Sequence, residues 1–231
     1  MRLSVLHRKV LNRWKKFRLQ PIRVFCLHHV TATYDTESMN RGDWMDINEF
    51  KQKIAAMQQD GVEFISLSNA YCHICEDYIR CRKYAVITFD DGYASLKEIL
   101  PLLNEQRIPA TLFINGKYLN GKSYRKNPKE KYLMKEVIDQ LDKLYPHLTI
   151  ASHGWEHTDA SQMTIGEFKH YIETNVELLH SNSSYIPFHA YTWGRHTAET
   201  DAYLLSKKII PVYIDGMKNY NEPNVIHREL L

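Results

Sequence analysis

Hydrophobic positions fall into two alternating textures along the chain. Short runs are dense in β-branched and aromatic residues, while longer stretches space their apolar residues three and four apart. Arg23 to Val30, Val62 to Leu67, Tyr84 to Phe89, Ala110 to Ile114, Leu148 to Ser152, Ile186 to Tyr191, Ile209 to Tyr213 and Val225 to Arg228 belong to the first kind and predict strands. The second kind predicts helices between them. Asp46 caps one that presents Phe50, Ile54 and Met57 and stops at Gly61; another runs from Asn69 to Arg80. Ser95 with Glu98 has the spacing of a capping box for a helix reaching Gln106, and Thr164 with Glu167 opens one reaching His180. Lys129 to Leu144 and Ala198 to Lys207 complete the set. Near-continuous apolar strands alternating with helices are what parallel strands covered by helices require. The pattern predicts an α/β fold of about seven βα units closing as a (β/α) barrel, in a chain of 231 residues, somewhat short of a full eightfold barrel.

The first residues differ from this body. Leu3, Leu6, Val10, Trp14 and Phe17 fall on one face of a helix, and Arg2, Arg8, Lys9, Arg13, Lys15, Lys16 and Arg18 cover the rest without one acid. Residues 1–20 are therefore expected to form a basic amphipathic helix, and residues 21–231, undivided by any Pro/Gly/Ser-rich linker, a single barrel domain. The net charge of +3 hides this division, because the chain beyond the tail carries 23 Lys+Arg against 27 Asp+Glu, a net of −4. A surplus this small points to no nucleic-acid partner. The tail has the composition of a helix lying on an anionic membrane surface, or of a first helix packed on the domain. No stretch has the roughly 18 to 20 uncharged apolar residues of a membrane span, and no apolar core of a secretory signal follows the charges. The expected setting is the cytoplasm, with the tail peripheral on the inner membrane face. Cys26, Cys72, Cys75 and Cys81 are then expected as reduced thiols, since a single Cys72-x-x-Cys75 is only half of a structural zinc site.

Three polar clusters follow predicted strands: Thr88-Phe89-Asp90-Asp91-Gly92-Tyr93, Ser152-His153-Gly154-Trp155-Glu156-His157 and Tyr191-Thr192-Trp193-Gly194-Arg195-His196. In a parallel barrel, the ends of the strands share one face, where active sites are built. Each cluster alone is weak, since Asp-Asp-Gly is also a turn signal. Together they offer two imidazoles and a carboxylate for a divalent metal, with a position left open for water or substrate. Adjacent aspartates point different ways, so one can bind metal while the other takes a proton from the water.

Thr88-Phe89-Asp90-Asp91-Gly92, followed by Ser152-His153-x-x-x-His157, closely resembles the first two motifs of the NodB-homology polysaccharide deacetylases, carbohydrate esterase family 4. Ala190-Tyr191-Thr192-Trp193-Gly194-Arg195 looks like the third motif, with Thr192 where Pro is usual, and Leu27-His28-His29-Val30 is similar to a stretch opening one subgroup. The resemblance spans about residues 24 to 214 and implies a distorted barrel that removes N-acetyl groups from sugars of a glycan or a lipid-linked precursor. It implies Asp90 as catalytic base and Asp91, His153 and His157 as ligands of a divalent metal, commonly Zn2+. The Tyr93 N–H would be a second oxyanion donor. His227 is the first choice for the acid that protonates the leaving amine, with His189 and His28 behind it. Arg195 or Arg228 would brace the base, and Trp155, Tyr191 and Trp193 would stack on sugar rings. Two rivals stand beside this: a relative that binds glycan without turnover, and an inverted zinc peptidase, since the second cluster also spells His153-x-x-Glu156-His157.

Overall fold

The computed structural model describes residues 21–37, 39–75, 82–120, 131–219 and 223–231. The amphipathic segment 1–20, Cys81 and the end of the Asn69–Arg80 helix lie outside the described residues. The described residues form ten strands: β1 (Arg23–Leu27), β2 (His29–Thr31), β3 (Trp44–Asp46), β4 (Val62–Phe64), β5 (Lys83–Phe89), β6 (Ala110–Ile114), β7 (Leu148–Ser152), β8 (Tyr185–Ala190), β9 (Ile210–Ile214) and β10 (Ile226–Leu230). Strands β1, β10, β9, β8, β7, β6 and β5 pair in that order, and β5 pairs back to β1, so seven parallel strands close a ring. The expected barrel is this ring. The predicted strand at Val62 is a short addition, β4, paired only with the first residues of β5.

Alternation along the strands sorts their side chains into two layers. Val24, Val86, Phe113, Ala151, Phe188, Ala190, Val212 and Ile226 form one buried cluster, filling the barrel. Phe25, Ile87, Leu112 and Ile150 belong to another, which meets the helices. Helix α1 (Ile47–Gln59) starts as expected, because Asp46 accepts from the Asn48 and Glu49 N–H groups, and it buries Phe50 and Ile54. In α2 (Leu67–Cys75), Leu67, Ala70 and Ile74 join the inner cluster. This helix therefore stoppers the barrel at the end where the strands begin.

Three local expectations change. Arg23–Val30 is two strands, since the ladder to β5 stops at Leu27↔Phe89 and the Leu27 carbonyl then accepts the Asp90 N–H. Ser95 and Glu98 cap nothing: a 3-10 turn over Ala94–Glu98 precedes α3 (Leu100–Glu105). Pro101 lacks an N–H and would break a helix begun at Ser95. Ser95 instead meets His29 Nδ1, and Glu98 accepts from the Ala32 N–H. The single helix expected to reach Leu144 is two short ones, α4 (Lys135–Ile138) and α5 (Leu141–Leu144). The Ile138 carbonyl is taken by Asn182 Nδ2 at 2.7 Å, which diverts it from the helical ladder. Helix α6 (Ile165–His180) carries the expected Thr164/Glu167 capping box in full, and α7 (Ala198–Ser206) opens on Thr197 and Thr200.

Candidate active site

Asp90 and Asp91 leave the end of β5 in a turn that only special residues tolerate. Asp91 and Gly92 both have positive φ, 69° and 74°, and a Cβ on Gly92 would meet Ile114 Cδ1 at 2.8 Å. The turn throws the two carboxylates apart. Asp91 Oδ1 lies 3.5 Å from both His153 Nε2 and His157 Nε2. Ligand atoms around a tetrahedral cation with bonds near 2.05 Å are separated by about 3.3 Å, so the three donors fit a divalent metal. His153 Nδ1 meets the Ala190 carbonyl at 2.8 Å, a contact that makes Nδ1 the protonated nitrogen and turns Nε2 toward Asp91.

The loop that carries both histidines is held from below. Asn115 Nδ2 donates to the His153 and Gly154 carbonyls, and Tyr171 Oη donates to the Glu156 and His153 carbonyls. Gly154 has φ of 80°, and a Cβ there would stand 2.1 Å from Tyr171 Oη. The segment is not helical, and the Glu156 carboxylate pairs with Lys117. The inverted zinc-peptidase alternative, which needs both histidines and that carboxylate on one helix face, therefore fails.

Asp90 faces the other way, into the barrel. Arg228, fully buried on β10, grips it with Nη1–Oδ1 at 2.6 Å and Nη2–Oδ2 at 2.8 Å, a bidentate pair. Nη1 also donates to Thr88 Oγ1, itself bonded to the Phe25 carbonyl, and the guanidinium lies over Phe113 at 5.0 Å. Burial pushes the Asp90 carboxyl up. Arg228, by its charge and its hydrogen bonds, outweighs this and holds the carboxyl down at about 2. Of the two arginines considered as brace, Arg228 is the one at Asp90, whereas Arg195 pairs with Asp159 at 2.7 Å.

The structure does not bring His227 to this cluster. Neighbours on a strand point to opposite faces, and Arg228 takes the inner one. His227 bonds Asp215 Oδ2 through Nδ1 at 2.8 Å and lies edge-on to Tyr213, outside the barrel. His189 is also on an outer face, against Ser152 Oγ and Phe168, and burial first of all lowers its pKa to about 3. The histidine standing beside Asp90 is His28, half-buried just after β1. One nitrogen of its ring, Cys26 Sγ and an Asp90 oxygen all lie within 4.8 Å of one another. His28, ranked behind His227 and His189 on the sequence alone, and Cys26, expected there only as a reduced thiol, are brought to Asp90 by the register of β1 with β5, where Cys26 pairs with Thr88.

The aromatic expectations divide. Tyr93 is buried in a stack with His29 (3.9 Å) and Tyr132 (5.1 Å), so its ring meets no sugar. Tyr191 is also buried and donates to Asp201 Oδ1 at 2.9 Å, a packing role. Trp155 borders a groove of about 420 Å³ with Glu156, Asp159 and His170, beside the loop that carries His153 and His157. Trp193 is 58% exposed and meets the His157 ring edge-on at 4.5 Å, which puts a bare indole at the rim of the site.

A closed parallel barrel that gathers two histidines and an aspartate at the ends of its strands places three donors able to hold a divalent metal on the face where barrel active sites are built. The chain belongs to the polysaccharide deacetylase family, whose model matches residues 78–208. Among solved structures, IcaB from Ammonifex degensii is similar over 93% of this chain and 94% of its own, at 21% identity and a TM-score of 0.73. The deacetylase PplD from Streptococcus pyogenes, solved with acetate, is similar over 91% and 92%, at 16% identity and a TM-score of 0.75. A de-N-acetylase from Aggregatibacter actinomycetemcomitans is similar over 92% and 95%, at 14% identity and a TM-score of 0.76. At such identities these likenesses concern the fold. Comparison with curated protein sequences gives no match.

Proposed function

We propose that the protein hydrolyses the acetamide of an N-acetylated sugar in a glycan or glycan precursor, with one divalent cation, Zn2+, held by Asp91, His153 and His157. The observation that carries this is the Asp-Asp-Gly turn, which aims one carboxylate at two imidazoles and the other at Arg228. When bound, the cation supplies Lewis-acid chemistry to a carbonyl oxygen and a water. Asp90, held ionised by Arg228, accepts the proton that the attacking water gives up. The Tyr93 N–H, one residue past Gly92, donates to the oxyanion. His28, beside Asp90, gives a proton to the amine nitrogen as the C–N bond breaks, releasing acetate and the free amino sugar. Trp193 offers a stacking surface at the mouth.

Acetate release from N-acetylglucosamine oligomers and from a lipid-linked N-acetylated sugar tests the proposal. Activity should vanish with chelator, return with Zn2+, and fall at least a hundredfold in Asp90→Asn. Acetate from no member of a broad panel would sink it and favour the glycan-binding relative. We further propose that residues 1–20 dock the enzyme on an anionic membrane, at the cytoplasmic face. Equal co-sedimentation with anionic vesicles by the full chain and by a variant lacking residues 1–19 would refute that. Among the described residues no helix is long and apolar enough to cross a membrane.

A further inference from the structure

Beside the Asp91–His153–His157 triad is a second set of donors with a different chemical character. Cys26 Sγ lies 3.4 Å from Asp90 Oδ2, as a thiol donating to the carboxylate. His28 completes the group, with all three donor atoms within 4.8 Å. A cation bound tetrahedrally to sulfur at 2.3 Å and oxygen at 2.0 Å holds those two atoms about 3.5 Å apart. The Cys26–Asp90 separation is already that distance, so a cation can replace the thiol proton with little movement. Oδ2 keeps its contact with Arg228 Nη2 on one lone pair and presents the other to Cys26. Access is also built in, because Cys26 and His28 line a cavity of about 260 Å³ together with Asp43, Trp44 and Glu49.

We propose that Cys26, His28 and Asp90 form a second, inhibitory site for a thiophilic divalent cation, Cd2+ or Zn2+ in excess. The sulfur donor sets its preference, since thiolate favours soft and borderline metals whereas the Asp/His/His triad suits a broader range. On binding, the S–H bond breaks, its proton leaves to water, and the S–metal bond forms. His28 coordinates through one ring nitrogen and Asp90 through Oδ2. The cation thereby engages, at one stroke, the carboxylate that would accept the proton of water and the imidazole that would protonate the leaving amine. The site stands on its own geometry; that its filling stops turnover rests on the deacetylase assignment.

The test uses the full chain with Cys72, Cys75 and Cys81 changed to Ser, so that Cys26 is the remaining thiol. After loading with one equivalent of Zn2+, Cd2+ is titrated in, following bound metal and the thiolate-to-cadmium charge-transfer absorption. The expected result is a second equivalent whose binding raises that absorption. Adding Cys26→Ser should abolish the absorption and leave one equivalent, with Cys26→Ala as a second variant should the serine impair folding. His28→Gln should keep the absorption but weaken binding at least about tenfold. No absorption in folded parent, or absorption surviving Cys26→Ser, overturns the site. In acetate release, the second equivalent should inhibit the parent, and Cys26→Ser should need at least tenfold more Cd2+ for the same fractional inhibition; equal sensitivity overturns the inhibitory role. If no substrate is turned over, metal content and absorption still decide the site.

Discussion

Arg228 is where charge, burial and function meet, and Arg228→Met tests how. The change removes a guanidinium of 0% exposure and leaves the Asp90 carboxylate, 4% exposed, without its counter-ion. Two charge-assisted hydrogen bonds, at 2.6 and 2.8 Å, are lost. Removing one partner of such a buried pair costs about 3–5 kcal/mol, mostly because the other charge stays buried and unpaired. With a urea slope of about 2–3 kcal/mol per M for a chain of this size, the unfolding midpoint falls by about 1 to 2.5 M. The measurement belongs in chelator, so that cation binding adds nothing.

The pH dependence gives an independent reading of the same pair. In the parent, Asp90 is lowered from its ordinary 3.8 to about 2, so it contributes stability that is present above about pH 4 and lost as pH falls toward 2. That contribution is about 2 kcal/mol at 1.36 kcal/mol per unit. In Arg228→Met, burial loses its largest opponent and keeps only the weaker ones of His153 and His28, so the Asp90 carboxyl rises and protonation costs the fold less. The stability gap between parent and variant should therefore narrow from pH 7 to pH 3. Replacing both residues, Asp90→Leu with Arg228→Met, should recover most of the loss. A gap below 1 kcal/mol at pH 7, a gap that ignores pH, or additive losses in the double variant would refute the account.

Gly154→Ala sets a Cβ 2.1 Å from Tyr171 Oη at a φ of 80°, and should cost about 2–4 kcal/mol in urea unfolding; a loss under 1 kcal/mol would mean that the loop relaxes freely. His28→Gln should slow acetate release by about 10²–10⁴ while one equivalent of Zn2+ still binds; an unchanged rate would remove His28 from the acid role. Burial holds His189 near a pKa of 3 against 6.5 in the free side chain. Its contribution is whole above pH 6.5 and lost as pH falls toward 3, so His189→Gln should flatten the acid slope of stability by up to about 1.4 kcal/mol per pH unit, and an unaltered slope would refute this.

Local rules were enough for much of this molecule. The apolar runs at Ala110–Ile114 and Leu148–Ser152 are strands because nothing in them suits a turn or a helix face, and Thr164 with Glu167 opens α6 because a capping box closes within four residues. The Asp90-Asp91-Gly92 turn and the His153/His157 spacing were legible for the same reason: each lies within one short segment. Residues whose role depends on a partner far along the chain were not. Ser95 and Glu98 had capping spacing, but Pro101 and the approach of β2 gave them other bonds.

Only barrel closure decided the rest. Pairing of β1 with both β5 and β10 brings Cys26, His28 and Arg228 around Asp90, and strand alternation sends His227 outward while its neighbour Arg228 goes in. A sequence states which residues alternate along a strand. It does not state which face closes inward, because that is set by how all seven strands bury their apolar sides together.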